Sequence, residues 1–140
     1  MFNLAAYVLQ HAKARAAHPA LQVLGGETLD YATLAARIRG TATGLRDLGL
    51  APGDRLLMRL GNTPDFPITY LAAITAGLVP VPTSAQLTQA EVTKIAHEVA
   101  PKLIVHASGI ALPAGDWPLL DAARLADMAV GLSSPSPLRR

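Results

Sequence analysis

From Asp54 onward the chain keeps repeating one pattern: an apolar run, a short loop, a helix with a start signal, then a glycine or proline stop. Arg55 to Leu60, Leu78 to Pro82 and Leu103 to Val105 read as strands, with helices opening near Thr63 and Thr88 between them. Strands joined by helices pair in parallel, and a parallel sheet needs helices over both faces. The pattern therefore selects an α/β fold, part of a doubly wound, mostly parallel sheet with covering helices.

The helix signals have a physical basis. Thr88-Gln89-Ala90-Glu91 is a capping box, in which the threonine hydroxyl and the glutamate carboxylate each satisfy a backbone N–H. It predicts a helix over 89–99, with Val92, Ile95, Ala96 and Val99 on one face and Ala100-Pro101 as the stop. Thr63 is expected to cap the preceding helix, with Pro64 at its first position and Asp65 in its first turn. Pro67, Tyr70, Leu71 and Ile74 are expected to form that helix's buried face. The helix and the strand Val79 to Val81 are expected to be among the most buried elements.

In front of the sheet, Asn3 can cap a helix running to about Ala17. Ala20 to Leu24 and Glu27 to Leu29 read as an antiparallel hairpin turning at Gly25-Gly26. Asp30 can open a helix whose apolar residues Tyr31, Leu34, Ala35, Ile38, Ala42, Leu45 and Leu48 share one face, and Gly49 ends it. Gly40 and Gly44 inside this helix leave room for a close neighbour. Leu119 to Val130 reads as a helix, and Ser133 to Pro137 as a disordered tail. These readings divide the chain into one domain over 1–132 and a flexible tail over 133–140.

At 140 residues, 51% hydrophobic, the chain can bury a sizeable core. Its net charge of +2 comes without a basic stripe or interleaved aromatics, which excludes nucleic acid as an expected partner. The absence of cysteine removes disulfides and thiol catalysis. Phe66 to Ala90 carries no charge, but Pro67, Gly77, Pro80 and Pro82 interrupt it, so it reads as a buried helix and strand and not as a membrane span. No basic side chain precedes Lys13, the wrong order for a secretory signal, and a cytoplasmic protein is expected.

Residues that could carry chemistry are few. Gly25-Gly26 leads into a strand and not into a helix N-terminus, so it reads as a hairpin turn and not a phosphate loop. His11, His18, His97 and His106 are scattered, with no metal-ligand spacing. Asn62 and His106 each follow a strand, at the edge where open α/β sheets bind ligands. The simpler roles are a turn-holding amide for Asn62 and a solvated loop residue for His106. Asp54 and Arg55 read as turn and strand entry; Asp121 and Asp127, six apart, do not share a helical face. Ser133, Ser134 and Ser136 have no histidine after residue 106 to serve them. Lys13, Lys94 and Lys102 follow no glycine-rich turn. The sequence thus assigns no catalytic, cofactor-binding or metal-binding residue.

The ordered series Asp30-Tyr31-Ala32-Thr33-Leu34, Gly44-Leu45, Leu48-Gly49-Leu50, Pro52-Gly53-Asp54-Arg55, Gly61-Asn62, Leu71-Ala72-Ala73-Ile74, Ala76-Gly77 and Val81-Pro82 resembles the N-terminal region of the AMP-forming acyl-CoA synthetases. This adenylate-forming superfamily includes luciferase and peptide-synthetase adenylation domains. Phe2-Asn3-Leu4-Ala5 and Val79-Pro80-Val81-Pro82-Thr83 look closest to its acyl- and aryl-CoA ligase branch, benzoate-CoA ligases included. The resemblance covers roughly residues 2 to 106. It implies a parent enzyme that activates a carboxylate as an acyl-adenylate with ATP and Mg²⁺, then transfers it to coenzyme A. The phosphate loop, the acid that holds Mg²⁺, the ribose-binding aspartate and the mobile-domain lysine of such enzymes have no match here. The implied partner is the remainder of the enzyme, its later strands and C-terminal domain, with self-association through exposed apolar surface. A catalytically incomplete chain is expected: a truncated reading frame, a degraded gene copy or an excised piece. The alternatives are a self-contained, non-enzymatic α/β interaction domain and a piece of a peptide-synthetase adenylation domain.

Overall fold

The computed structural model describes residues 2–131. The expected tail over 133–140 lies outside them.

A four-stranded parallel sheet forms the centre, built from β3 (Arg55–Arg59), β4 (Val79–Pro82), β5 (Leu103–His106) and β6 (Leu119–Asp121). Its order is β4-β3-β5-β6, with Leu57 opposite Val81 on one side and Ile104 on the other. The chain therefore leaves β3 in one direction to reach β4, then crosses back over it to β5. Ahead of the sheet, β1 (Pro19–Gln22) and β2 (Thr28–Asp30) form a separate antiparallel hairpin. The α/β, doubly wound arrangement and the hairpin both agree with the sequence reading.

Alternating residues of β3 face opposite ways. Leu56, Met58 and Leu60 pack into the larger apolar core with α2 (Tyr31–Asp47), α3 (Asp65–Thr75) and α5 (Ala122–Ala129). Leu57 packs with Ile104, Val92 and Ala96 beneath α4 (Gln89–Val99). Three helices thus cover one face and one helix covers the other. Gly40 explains how α2 and α5 come so close: a Cβ there would lie 2.2 Å from the Ala129 carbonyl oxygen. Among the described residues no helix is long and apolar enough to cross a membrane.

The start signals act largely as expected. Asn3 Oδ1 accepts from the Ala6 N–H, Asp30 Oδ1 accepts from the Thr33 N–H, and Thr88 with Glu91 makes both bonds of the capping box. Four expectations need correction. The first helix, α1 (Leu4–Leu9), stops early, and residues 10–17 continue as turns closed by bonds such as Ala12 N–H to Leu9 O. Thr63 does not cap α3: Pro64 occupies the cap, without a side-chain bond. The buried face of α3 is Ile68, Thr69, Ala72 and Ala73, while Pro67, Tyr70, Leu71 and Ile74 are half-buried. Neighbours on several sides cover this helix, so apolar spacing says little about which side faces the sheet. Finally, Leu119 to Asp121 is a strand; the helix starts only at Ala122, capped by Asp121, which accepts from the Ala123 N–H.

The strand β4 departs from expectation in another way. It is an edge strand, and Val79 is 45% exposed. The Val79 N–H donates to the Asp54 carbonyl, so Val79 and Val81 turn their backbone polar groups toward β3. Pro80 and Pro82 then turn outward, and proline has no N–H to offer. This edge presents acceptors only and resists the addition of another strand.

Candidate functional site

Open α/β sheets place ligands in the crevice beyond the carboxyl ends of their strands. Here the ends of β3 and β4 enclose an open crevice of about 510 Å³. Gly61, Asn62 and Phe66 line it after β3, and Thr83, Ser84 and Gln86 line it after β4.

Arg59, the last residue of β3, lies directly behind this crevice and is fully buried. Its Nε donates to the Ala111 carbonyl at 2.9 Å. Its Nη1 donates to Thr83 Oγ1 at 2.9 Å and to the Ser84 carbonyl at 2.7 Å, and Nη2 to the Leu87 carbonyl at 3.3 Å. Thr83 in turn donates to the Met58 carbonyl at 2.6 Å. One guanidinium therefore pins the loop before α4 and the loop after β5 onto the end of β3. Arg37 with Glu27 is the one ion pair among the described residues, so carbonyl dipoles, and not a carboxylate, surround Arg59. Burial pulls its pKa below the ordinary arginine value.

The sequence gives a clue to this role. In Leu56-Leu57-Met58-Arg59-Leu60 a single charge interrupts a strand that is buried on both faces. Such a charge must find fixed polar partners in the interior.

The residues weighed from sequence fall as follows. Asn62 lines the crevice, but its side chain holds no turn: the bonds there are Thr63 N–H to Gly61 O and Phe66 N–H to Thr63 O. His106 is half-buried at the end of β5, in register with Arg59, and does not line the crevice. His97 meets the edge of Trp117 with ring centroids 5.4 Å apart, and His11 and His18 are exposed. Asp54 accepts from the Ala51 N–H, and Arg55 donates to the Val99 carbonyl at the end of α4. Asp121 caps α5, while Asp127 lies further along that helix. Gly25 takes φ +72° in the hairpin turn. Among the described residues no group of His, Asp and Glu could hold a metal ion.

The crevice thus offers two amides, two hydroxyls and an aromatic ring, with no titratable group in its lining. Such a surface can bind and orient a ligand.

The sequence model of the family described as AMP-binding enzyme matches residues 8–130. The chain is 34% identical to 4-coumarate–CoA ligase 4 of Arabidopsis thaliana over 80 residues, which is 57% of this chain and 14% of the ligase. Among solved structures it resembles a benzoate CoA ligase from Burkholderia xenovorans LB400, at 26% identity and a TM-score of 0.73, over 95% of this chain and 24% of that one. It shares the fold of NpsA-ThdA, an artificially fused adenylation–PCP di-domain from Klebsiella oxytoca, at 18% identity and a TM-score of 0.84, over 96% of this chain and 25% of that one. The chain therefore spans about a quarter or less of these proteins. With the fold, the ordered motifs and the family match in agreement, it belongs to the AMP-binding, adenylate-forming enzyme family.

Proposed function

We propose that residues 1–132 are the N-terminal part of the large domain of an ATP-dependent, AMP-forming acyl- or aryl-CoA ligase, in a cytoplasmic setting. The complete enzyme would join a carboxylate to ATP, release pyrophosphate, and pass the acyl group to coenzyme A. ATP, Mg²⁺ and most of the substrate contacts would come from the remainder of the enzyme, which is the implied partner. The family match over 8–130 carries this reading.

Reconstitution tests the proposal. The 140-residue chain is mixed with a separately expressed remainder of a related ligase, and carboxylate-dependent pyrophosphate release is followed. The reading expects activity from the mixture and none from either part. Release by the chain alone would refute it. The fold shared with the adenylation–PCP fusion favours a second reading, in which a carrier protein supplies the acceptor thiol. Thioester formation by the mixture with coenzyme A against a carrier protein separates the two.

Self-association belongs to the same proposal. Phe2, Leu4, Tyr7 and Val8 leave an exposed apolar patch on and beside α1. Gel filtration should show dimers or larger species and dye should bind; a monodisperse, dye-silent chain would favour the self-contained interaction domain.

A further inference from the structure

On the three-helix face, α2, α3 and α5 enclose a cavity of about 240 Å³. Two of its lining residues are unusual. Thr41 on α2 and Thr69 on α3 are only 2% and 3% exposed. A helical threonine commonly donates its hydroxyl to a carbonyl one turn back. Thr43 does so on α2, to Arg39 at 3.0 Å, and Thr75 does so on α3, to Leu71 at 2.8 Å. Thr41 and Thr69 do neither, and no partner for either hydroxyl occurs among the described residues. A buried hydroxyl without a partner is costly, and here two border one cavity.

The charges around the cavity are lopsided. Asp65 and Asp127 line it. Burial raises the Asp65 carboxyl above its ordinary value, Arg37 opposes this, and Glu27 and Asp121 add to it. Arg37, the one cation in the lining, is drawn toward Glu27 at 3.6 Å. Much of the remaining wall is hydrocarbon, including Ile68 and Leu125.

We propose that this cavity binds a small organic ammonium ion. An ammonium head carries three N–H donors and no acceptor. The Asp65 carboxylate and the Thr41 and Thr69 hydroxyl oxygens are three acceptors in one lining, and the hydrocarbon wall suits the ligand's apolar body. A bare metal ion is a poor match, since hard cations want six or more oxygen ligands. A cavity of about 150 Å³ accepts benzene, so one ring with an aminomethyl group fits the larger volume here.

The probe is benzylammonium chloride, titrated into the full chain and followed by methyl and amide NMR. Saturable shifts at Thr41, Thr69 and Asp65 are expected, with benzyl alcohol binding at least about tenfold more weakly. Asp65→Asn should weaken benzylammonium by about tenfold or more and leave benzyl alcohol unchanged. Thr41→Val and Thr69→Val should each weaken binding by roughly threefold to tenfold while raising the urea midpoint, since each removes a buried hydroxyl without a partner. Ala126→Trp, on the exposed rim, should block entry without disturbing the core. The proposal is overturned if benzylammonium does not saturate, if the alcohol binds equally well, or if Asp65→Asn leaves the affinity intact. It is equally overturned if the valine variants change neither affinity nor midpoint. A valine variant that fails to fold leaves Asp65→Asn and Ala126→Trp to decide.

Discussion

The two faces of the sheet are held by different means. On the single-helix face, the two arginines of β3 anchor both ends of α4: Arg59 grips the loop before the helix and Arg55 bonds the Val99 carbonyl at its end. On the three-helix face the strands contribute no such bond among the described residues: hydrocarbon packing through Ile38, Leu45, Ala72 and Leu125 and the approach of Gly40 to Ala129 hold it, with one helix-to-helix bond from Arg46 Nη2 to the Thr75 carbonyl at 2.8 Å. A face with one helix buries little apolar area, so directional bonds from the strand can fix its cover. A face with three helices can rely on shape. The first should fail when one donor is lost, the second when volume is added.

The largest expected effect comes from Arg59. Arg59→Ala strands the Ala111, Ser84 and Leu87 carbonyls and the Thr83 hydroxyl around a cavity. It should cost about 3–5 kcal/mol, read from urea unfolding. Hydrogen exchange should quicken first in the 83–88 and 107–118 loops. A loss under about 1 kcal/mol would show that the clamp does not hold this face.

The glycines of α2 offer a matched pair on the other face. Gly40→Ala pushes a methyl group against the Ala129 carbonyl and should destabilise by about 1–3 kcal/mol. Gly44→Ala meets side-chain atoms at ordinary contact distances, Met128 Cε at 3.4 Å, Met128 Cβ at 3.6 Å and Leu125 Cδ1 at 3.9 Å, and should be neutral or stabilising by up to about 1 kcal/mol. Equal effects would mean that α2 and α5 are not packed as described.

Thr88→Ala breaks the capping box and should cost about 0.5–2 kcal/mol, seen as lost protection in the first turn of α4. Arg55→Ala, at the exposed end of the same helix, should cost less, about 0.3–1 kcal/mol.

Acid provides the smallest and most discriminating test. The bonds from Thr88 hold Glu91 below its ordinary 4.5, so its contribution is present above that value and is lost as pH falls through the lowered one. Burial holds Asp65 above 3.8, so its ionised form opposes folding, and stability falls as pH rises from 3.8 through the raised value. Unfolding midpoints should therefore show Glu91→Gln losing its difference from the parent chain in acid. Asp65→Asn should gain stability toward neutral pH. Parallel profiles would contradict these assignments.

Features that show in sequence are those with a local cause. Asn3, Asp30 and the Thr88–Glu91 box mark helix starts through a side chain that must satisfy a nearby N–H, and all three hold. Gly40 marked a close approach because a missing Cβ has few other uses mid-helix. Features that depend on distant partners were harder to read. Leu119-Leu120 pairs with β5, and Asp121 ends that strand and caps the next helix at once, so no loop separates them. The candidate site follows the same rule. Asn62 was legible as a crevice residue because it follows a strand. Arg59 was missed because its partners lie 24 to 52 residues away.

One measurement bears most directly on the proposed reading, in which the chain is part of a larger adenylate-forming enzyme and has no ATP site of its own. Calorimetric titration of the 140-residue chain with Mg·ATP should give only dilution heat. Among the described residues, the lining of its crevice contains no lysine or other cationic side chain to offset a triphosphate's charge. Saturable binding at micromolar concentration would contradict the account, and Asn62 and His106 would be the first residues to mutate.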